Sequence, residues 1–387
     1  MASLEGVEKL HQTTYGVMPA HVGFAPGRVN IIGEHTDYNK GFVLPIAIKQ
    51  GTYVAVSTKP SSTVKIEIIS STTKEKVLLD RATMDKSAHK GKWYMYVYGV
   101  IDLLLGKSTV PAQEYQVSIT GDVPLGAGLS SSASIEVATG VTFCEVLKVP
   151  MDGKALGMLC VEVEHEYAGV MCGIMDQFAS RLCKKHTALL LDCKTQETTN
   201  KPVELGDYVL LVTNSNAPHK LESSQYNERA AQCTEAVKKL NEIYKKNAAS
   251  LREYSVDEVK VLEGVSGNRA KHVVGEDQRV MDAIDAMSKG DAVELGKLMT
   301  ASHMSLKDLY EVSSKELDYL VENAIKIQGV AGSRLTGAGF GGCTVTLIKK
   351  EAVEEYAKML ENYKKEFNLH PFYFVLDYPE DGAKILI

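Results

Sequence analysis

Residues 121–134 read GDVPLGAGLSSSAS and join a predicted strand to a predicted helix. The strand is indicated by Tyr115, Val117 and Ile119, which alternate with polar residues. The helix is predicted over residues 133–147. Glycines let a backbone approach a ligand closely, and the N–H groups at a helix N-terminus favour phosphate. The segment predicts a phosphate-binding loop, with a Gly/Ser turn and an ordinary serine cap as the alternative.

Two other glycine-containing segments do not fit the common nucleotide-binding motifs. The Gly-Lys-Ser at residues 106–108 is not a Walker loop, because Ile101 occupies the position of that motif's first glycine. Residues 336–343, TGAGFGGC, match GxGxxG, but the next residues predict a strand where a dinucleotide fold needs a helix. This second glycine loop has two open interpretations: a tight hairpin, or a backbone that packs against the first loop or a bound phosphate.

The densest polar cluster lies near the N-terminus, where residues 25–39 read APGRVNIIGEHTDYN between apolar segments. So many polar groups are costly to bury unless they bind something. Glu34, His35 and Asp37 offer acceptors and a donor with little net charge, which suits a neutral sugar. A substrate that already carries phosphate would call for more Arg and Lys.

A third polar segment covers residues 164–178, EHEYAGVMCGIMDQF. Asp176 lies among apolar residues, a setting that can hold a carboxylate for proton transfer. An Asp that caps the following helix is an equally good interpretation at this point.

Composition limits the classes of function and location. The 387 residues hold 43 Lys plus Arg and 49 Asp plus Glu, a net charge of −6. This balance argues against a nucleic-acid or anionic-membrane partner, although not against a local site for one anionic ligand. No apolar run approaches the length of a membrane span, and the first twenty residues do not resemble a targeting segment. The seven cysteines form no CxxC pair, so we expect a reduced, cytoplasmic protein.

The chain shows no tandem repeat and no obvious linker. A soft boundary near residue 200 divides it into two predicted domains, 1–200 and 201–387, both of the α+β class. The elements predicted from periodicity are strands at 42–57, 63–70, 208–215 and 372–376, and helices at 94–105, 153–168, 227–246, 277–288, 291–302, 315–328 and 351–366.

Four of these segments together resemble the galactokinase family of the GHMP small-molecule kinase superfamily. GRVNIIGEHTDYN (27–39) resembles the family signature, and VPLGAGLSSSAS (123–134) resembles the superfamily phosphate loop. CGIMDQF (172–178) and TGAGFGGCTV (336–345) resemble the remaining blocks, in the family's order. The likeness covers nearly the whole chain, and four motifs at plausible spacing are highly specific.

The resemblance implies a two-domain α+β GHMP kinase fold. Its N-terminal domain would resemble the ribosomal protein S5 domain 2 fold, its C-terminal domain would be ferredoxin-like, and the active site would lie in the cleft between them. The implied reaction transfers the γ-phosphoryl group of ATP to the anomeric hydroxyl of α-D-galactose. It gives galactose 1-phosphate and ADP, the first committed step of galactose (Leloir) metabolism, with Mg²⁺ as cofactor and no obligate protein partner.

The resemblance also assigns residues to roles. Arg28 and Asp176 correspond to the catalytic pair. The other implied residues contact the sugar (Glu34, His35, Asp37, Gly173 and Tyr226), Mg²⁺ (Ser132 and Glu164), the phosphates (Gly126, Gly128, Ser130, Ser131 and Ser132) and the adenine (Trp93 and Tyr96). For the two aromatic residues, ordinary core packing is an equally good interpretation. Ala127 and Ala338 stand where many relatives have glycine, which is tolerable if their φ angles are negative.

Two alternatives remain at the level of sequence. An N-acetylgalactosamine kinase shares the loops, but the His-Thr-Asp-Tyr-Asn at residues 35–39 is the galactokinase form. A galactose and ATP sensor that regulates transcription would have an incomplete phosphate loop, whereas Ser130–Ala133 is intact. Mevalonate and homoserine kinases lack the signature at residues 27–39.

Overall fold

Runs of strands and runs of helices follow one another in the chain, which the computed structural model describes over residues 2–217 and 222–387. The strands are β1 (His21–Asn30), β2 (Phe42–Val43), β3 (Pro45–Pro60), β4 (Lys65–Ser70), β5 (Lys76–Asp80), β6 (Gln113–Gly121), β7 (Thr187–Asp192), β8 (Glu197–Pro202), β9 (Tyr208–Asn214), β10 (Val330–Thr336), β11 (Cys343–Lys349), β12 (Phe372–Leu376) and β13 (Lys384–Ile385). The α-helices are α1 (Leu4–Tyr15), α2 (Lys86–His89), α3 (Tyr94–Leu105), α4 (Ser131–Val146), α5 (Gly153–Val163), α6 (Met175–Leu182), α7 (Glu222–Tyr244), α8 (Val256–Val259), α9 (Gly264–Ser288), α10 (Ala292–Ser305), α11 (Lys315–Ala324) and α12 (Val353–Phe367).

A six-stranded sheet in the order β13-β1-β3-β6-β4-β5 forms the first half of the fold. Its pairs are antiparallel except β4 with β6. The helix α4, which follows the first glycine loop, packs on β1 and β3. Val54 and Val117 from the sheet meet Val137 and Phe143 of α4 in one buried core. Burial of this apolar face fixes the N-terminus of α4 beside the end of β6.

A four-stranded antiparallel sheet, β10-β11-β9-β12, forms the second half, and β2, β7 and β8 make a small third sheet. Ile31 and Leu44 from the first half share a core with Val212 and Val345 of the second. Residue 200 lies in β8, which pairs with β7, and β13 at the chain end returns to pair with β1. The domain boundary near that residue stays a prediction.

The helices and strands show where periodicity predicts well. The predicted helix 94–105 and strand 372–376 coincide with α3 and β12. The helix predicted over residues 153–168 ends as α5 at Val163, and a π-helical turn over Glu164–Ala168 follows. Such turns are rare and occur often at functional sites.

The second glycine loop is a hairpin turn between β10 and β11, as one interpretation of the sequence predicts. It also packs on the first loop, because a Cβ on Gly337 would lie 2.7 Å from the carbonyl oxygen of Gly128. The two interpretations left open by the sequence are therefore both confirmed in part: the segment is a hairpin turn, and its backbone packs against the first loop. Ala127 and Ala338 are not among the residues with positive φ, so their methyl groups are tolerated.

Candidate active site

The first glycine loop lies between the end of β6 and the start of α4. Gly126 and Gly128 have φ angles of 63° and 71°, and Ser130 has a φ of 61°, which is uncommon for a residue with a side chain. The Ser130 hydroxyl does not cap α4 but donates to Oδ2 of Asp176 at 2.5 Å. The alternative of an ordinary serine cap is therefore wrong. The first turn of α4 presents its N–H groups and its positive dipole end to whatever lies beside the loop.

A cavity of about 460 Å³ lies beside the two glycine loops and the signature segment. Of the fifteen residues named from the resemblance, only Gly128 and Ser130 do not line this cavity. The thirteen that do are Arg28, Glu34, His35, Asp37, Trp93, Tyr96, Gly126, Ser131, Ser132, Glu164, Gly173, Asp176 and Tyr226.

Arg28 and Asp176 form an ion pair at the wall of this cavity. Nε and Nη2 of Arg28 both lie 2.8 Å from Oδ1 of Asp176, and Nη1 donates to the Gly128 carbonyl at 2.6 Å. Asp176 lies in the first turn of α6, whose N-cap position is Ile174, so the capping interpretation of Asp176 is wrong. The Arg28 side chain is 5% exposed and the Asp176 side chain 27%, so the carboxylate is the partner that reaches the cavity.

A local irregularity in β1 directs Arg28 toward this position. The register of β1 against β3 shifts between Pro26 and Arg28, as at a β-bulge. Gly27 lies in this shift, and a Cβ there would lie 2.6 Å from the Leu129 carbonyl oxygen. The same carbonyl accepts a hydrogen bond from the Arg28 backbone N–H at 3.1 Å. The first loop thus approaches β1 closely because residue 27 is glycine.

Asp37 and Gly173 meet close to the Arg28–Asp176 ion pair. A Cβ on Gly173 would overlap the Asp37 carboxylate, so the close approach requires glycine. Burial, and then the negative charge of Asp176, raise the pKa of Asp37 to about 6. Two carboxyl groups therefore share one end of the cavity, beside Arg28.

His35 is a neutral imidazole held in a fixed orientation. Its Nε2 lies 3.0 Å from the Ala338 carbonyl and its Nδ1 lies 2.8 Å from the Tyr38 hydroxyl. Because a carbonyl only accepts, Nε2 carries the proton and Nδ1 accepts from Tyr38. Burial, with the nearby His272 imidazole, lowers the pKa of His35 to about 3. The Tyr226 ring lies 5.7 Å from the His35 ring.

Glu34 is 1% exposed and is bound by four donors. Oε2 accepts from Asn30 Nδ2 and pairs with Arg334 Nη2, both at 2.7 Å. Oε1 accepts from the Thr336 hydroxyl at 3.1 Å and from the Gly337 N–H at 2.8 Å. This carboxylate therefore ties the signature segment to the second glycine loop.

Ser132 and Glu164 both line the cavity. Burial raises the pKa of the Glu164 carboxyl group to about 7, and the Ser132 hydroxyl beside it partly offsets this rise. Within the described residues, no cluster of three or more His, Cys, Asp or Glu side chains could bind a metal ion without further ligands. Trp93 and Tyr96 line the same cavity, and the indole N–H of Trp93 donates to Glu75 at 2.7 Å.

Some residues that line the cavity were not predicted from the sequence. Three of them have hydroxyl side chains and lie at or just after the end of β4: Ser70, Thr72 and Thr73. A search for Ser/Thr-rich turns between predicted strands could have found them. Arg334, which pairs with Glu34, was also missed because it lies in a largely buried strand far away in sequence.

Comparison with known proteins decides the family. The galactokinase galactose-binding signature matches residues 9–58, the GHMP kinases N terminal domain residues 95–184, and the GHMP kinases C terminal model residues 283–365. The chain is 41% identical to the Homo sapiens galactokinase over 382 residues, which cover 96% of this chain and 94% of that protein.

The chain belongs to the galactokinase family.

Other members of the galactokinase family agree. The galactokinase of Clostridium acetobutylicum is 38% identical over 371 residues, 94% of each chain. A crystal structure of Lactococcus lactis galactokinase complexed with galactose has a TM-score of 0.91 at 34% identity, and the match covers 99% of this chain and 100% of that one. Methanococcus jannaschii mevalonate kinase shares the fold, with a TM-score of 0.68 at 19% identity over 95% of this chain and 99% of the other. The two-domain α+β GHMP kinase fold predicted from the sequence is confirmed.

Over the part of the chain that the structure describes, none of the helices combines the length and the apolar character that crossing a bilayer requires.

Proposed function

We propose that the chain transfers the γ-phosphoryl group of ATP to the anomeric hydroxyl of α-D-galactose within this cavity. As a member of the galactokinase family, the chain phosphorylates galactose with ATP. This reaction is the first step of galactose metabolism. The single observation that carries the assignment of the site is the Arg28–Asp176 pair, which joins the polar signature segment to α6 and is hydrogen-bonded to the first glycine loop at Gly128 and Ser130.

Asp176 receives the proton of the anomeric hydroxyl. Both Arg28 nitrogens lie against Oδ1, whereas Oδ2 accepts only from the Ser130 hydroxyl among the described residues. Oδ2 therefore has room for the sugar O–H. As that proton moves to the carboxylate, the sugar oxygen bonds to the γ-phosphorus and the bond between that phosphorus and the ADP oxygen breaks. Asp176 then releases the proton to solvent.

Arg28 holds the Asp176 carboxylate in place and offsets negative charge as the phosphoryl group moves. Its guanidinium lies 2.8 Å from that carboxylate. Because the side chain is buried, this charge acts in a medium of low dielectric constant, where it is worth more than in water. Its third nitrogen is fixed by the Gly128 carbonyl, so Arg28 needs no reorganisation during the reaction.

The sugar contacts Asp37, His35, Tyr226, Gly173 and Glu34. A buried carboxyl group of raised pKa and a neutral imidazole suit sugar hydroxyls better than a charged substrate. Gly173 leaves space for Asp37 and fixes its carboxylate beside Asp176. The similar Lactococcus lactis galactokinase was crystallised with galactose, which supports galactose as the sugar that this chain binds.

ATP occupies the opposite end. Its phosphates lie at the first loop, near Gly126, Gly128 and the three serines Ser130, Ser131 and Ser132, where the N-terminus of α4 provides N–H groups and a positive dipole end. Trp93 and Tyr96 flank the adenine. The positive φ angles at Gly126 and Gly128 allow the backbone to approach the phosphates.

Ser132 and Glu164 would bind Mg²⁺, the cofactor inferred from the family. Their oxygens fit a hard cation, and a buried carboxyl group with a raised pKa is one whose ionised form a cation would favour. Two side chains leave positions for phosphate oxygens and water, which Mg²⁺ usually keeps. When bound, the ion offsets charge on the phosphates.

We also infer a cytoplasmic location and a protein that acts without an obligate protein partner. All seven cysteines are free thiols in the structure, and five of them are buried. A reduced compartment is compatible with this state.

The proposed function is tested by ADP release, coupled to an absorbance change, over a panel of hexoses and acetamido-hexoses. We expect turnover on galactose and much slower turnover on N-acetylgalactosamine. Faster turnover on the acetamido sugar would assign the chain to the related kinase, and galactose binding without ADP release would favour a sensor.

A further inference from the structure

The later part of the signature segment lies in a loop between β1 and β2 that carries three of the proposed sugar-contacting residues, Glu34, His35 and Asp37. The loop follows β1 and ends at Phe42, where β2 begins. The Thr36 hydroxyl lies 2.8 Å from the Gly33 carbonyl and 2.6 Å from the Phe42 carbonyl. The two ends of the loop are thus close together. The backbone N–H groups of Gly33 and Phe42 need hydrogen-bond acceptors from another part of the protein.

One helix, α9, supplies those partners. Glu276 Oε1 accepts from the Gly33 N–H at 3.0 Å, and Asp277 Oδ1 accepts from the Phe42 N–H at 2.7 Å. Two consecutive carboxylates therefore hold the two ends of the loop.

The same side of α9 also holds the middle of the loop. His272 lies one helical turn before Glu276, and its Nε2 lies 3.2 Å from the Glu34 carbonyl. Its Nδ1 lies 2.8 Å from the Ser305 hydroxyl, so Nε2 donates and Nδ1 accepts. At 100° per residue, the three side chains span about 140° of the helix circumference.

These contacts lie inside the protein. His272 and Glu276 are fully buried and Asp277 is 8% exposed. Glu276 also pairs with Arg279 at 2.6 Å and accepts from Ser302, which fixes its carboxylate. A Cβ on Gly41 would overlap the Asp277 carboxylate, so this contact depends on glycine at residue 41.

We propose that His272, Glu276 and Asp277 are positioning residues that set the geometry of the sugar-contacting loop. None of the three lines the cavity, so they act through the loop and not on the sugar. This inference rests on the proposed function, because it assigns the loop to galactose. A shift of about 1 Å in a substrate-positioning segment can change kinetic parameters on the order of a hundredfold.

The test compares Asp277→Ala, Asp277→Asn and a matched control, Asp285→Ala. Asp285 is an exposed Asp on the same helix. Loss of the acceptor in Asp277→Ala should raise the KM for galactose by about tenfold and leave the KM for ATP within about twofold. Asp277→Asn keeps an oxygen for the Phe42 N–H and should restore the KM to within about threefold of wild type. The Asp285→Ala control should match wild type.

A second readout does not depend on turnover. Amide hydrogen exchange of a peptide covering residues 33–43 should be faster in Asp277→Ala than in wild type and Asp277→Asn, with exchange of β6 unchanged. If Asp277→Ala does not fold, Asp277→Ser replaces it, because a serine side chain is too short to reach the Phe42 N–H. His272→Phe, which keeps the aromatic packing on Tyr310, should show the same effects.

Unchanged exchange in the loop peptide would overturn the proposal, whatever the kinetics. It would also be overturned if Asp277→Ala and Asp277→Asn lost kcat equally with no change in the KM for galactose, since that pattern indicates a role in stability alone. Failure of the wild-type chain to phosphorylate galactose would refute the proposed function instead. The exchange experiment would still decide whether α9 holds the loop.

Discussion

The substitution Asp176→Asn removes the proposed base with little change in shape. In the structure, Oδ1 accepts from two Arg28 nitrogens and Oδ2 accepts from the Ser130 hydroxyl. An asparagine can keep its oxygen toward Arg28 and donate from its nitrogen to Ser130, because a hydroxyl can also accept. The substitution therefore removes the charge and the proton acceptor and leaves the packing in place.

The expected loss follows from the role of the base. General-base catalysis contributes about 100- to 10,000-fold, equivalent to about 3–5 kcal/mol of activation free energy. We expect kcat to fall by that factor. The KM for ATP should change little, because Asp176 lies at the sugar side of the phosphate loop. By contrast, Asp176→Ala would also leave the buried Arg28 guanidinium without its partner, so the alanine variant tests two effects at once.

The assay is steady-state ADP release with galactose and ATP varied separately. Galactose binding by calorimetry shows whether the site is intact, and Asp285→Asn, an exposed Asp on α9, is the matched control. A kcat within about threefold of wild type would refute the assignment of Asp176 as base, since even the weakest general base contributes more than that.

Three further predictions concern the two ends of the cavity. Gly173→Ala places a Cβ on the Asp37 carboxylate, so the KM for galactose in steady-state kinetics should rise at least about tenfold while the KM for ATP is unchanged; equal changes in both would contradict the assignment. Burial raises the pKa of Asp37 from 3.8 to about 6, so its ionisation lowers the free energy of unfolding progressively between about pH 4 and pH 6, by up to about 3 kcal/mol above that range. Thermal unfolding should therefore give Asp37→Asn a Tm equal to wild type near pH 4 and a higher Tm at pH 8, and a pH-independent difference would be evidence against this. Trp93→Ala should raise the KM for ATP by about three- to tenfold through loss of aromatic packing on adenine; an effect on galactose alone would show that Trp93 only packs in the core.

The sequence predicts well what local motifs encode. Arg28 and Asp176 lie in separate motifs, 148 residues apart, and their side chains meet as the resemblance implies. The position of the first glycine loop between β6 and α4 is predictable because glycine and serine are typical of a strand–helix junction. Even here, the sequence alone left Asp176 open between a helix cap and a base, and the start of α6 was needed to exclude the cap.

The tertiary contacts that fix the site were not predictable. Glu34 pairs with Arg334, and Gly33 bonds to Glu276, over separations of about 240 to 300 residues. Nothing in the local pattern of β10 or α9 distinguishes a polar residue that pairs inside the protein from one that faces solvent. The N-terminal half of α9 was also missed, because Gly264, Gly267 and Gly275 interrupt its helical pattern.

The most direct measurement is the initial rate of ADP release by the wild-type chain with ATP and Mg²⁺, with galactose or N-acetylgalactosamine as the acceptor. We expect ADP release to depend on galactose, with galactose 1-phosphate formed in equal amount and the acetamido sugar turned over far more slowly. ADP release that does not increase with galactose, or that is faster with N-acetylgalactosamine, would contradict the assignment of this cavity to galactose phosphorylation.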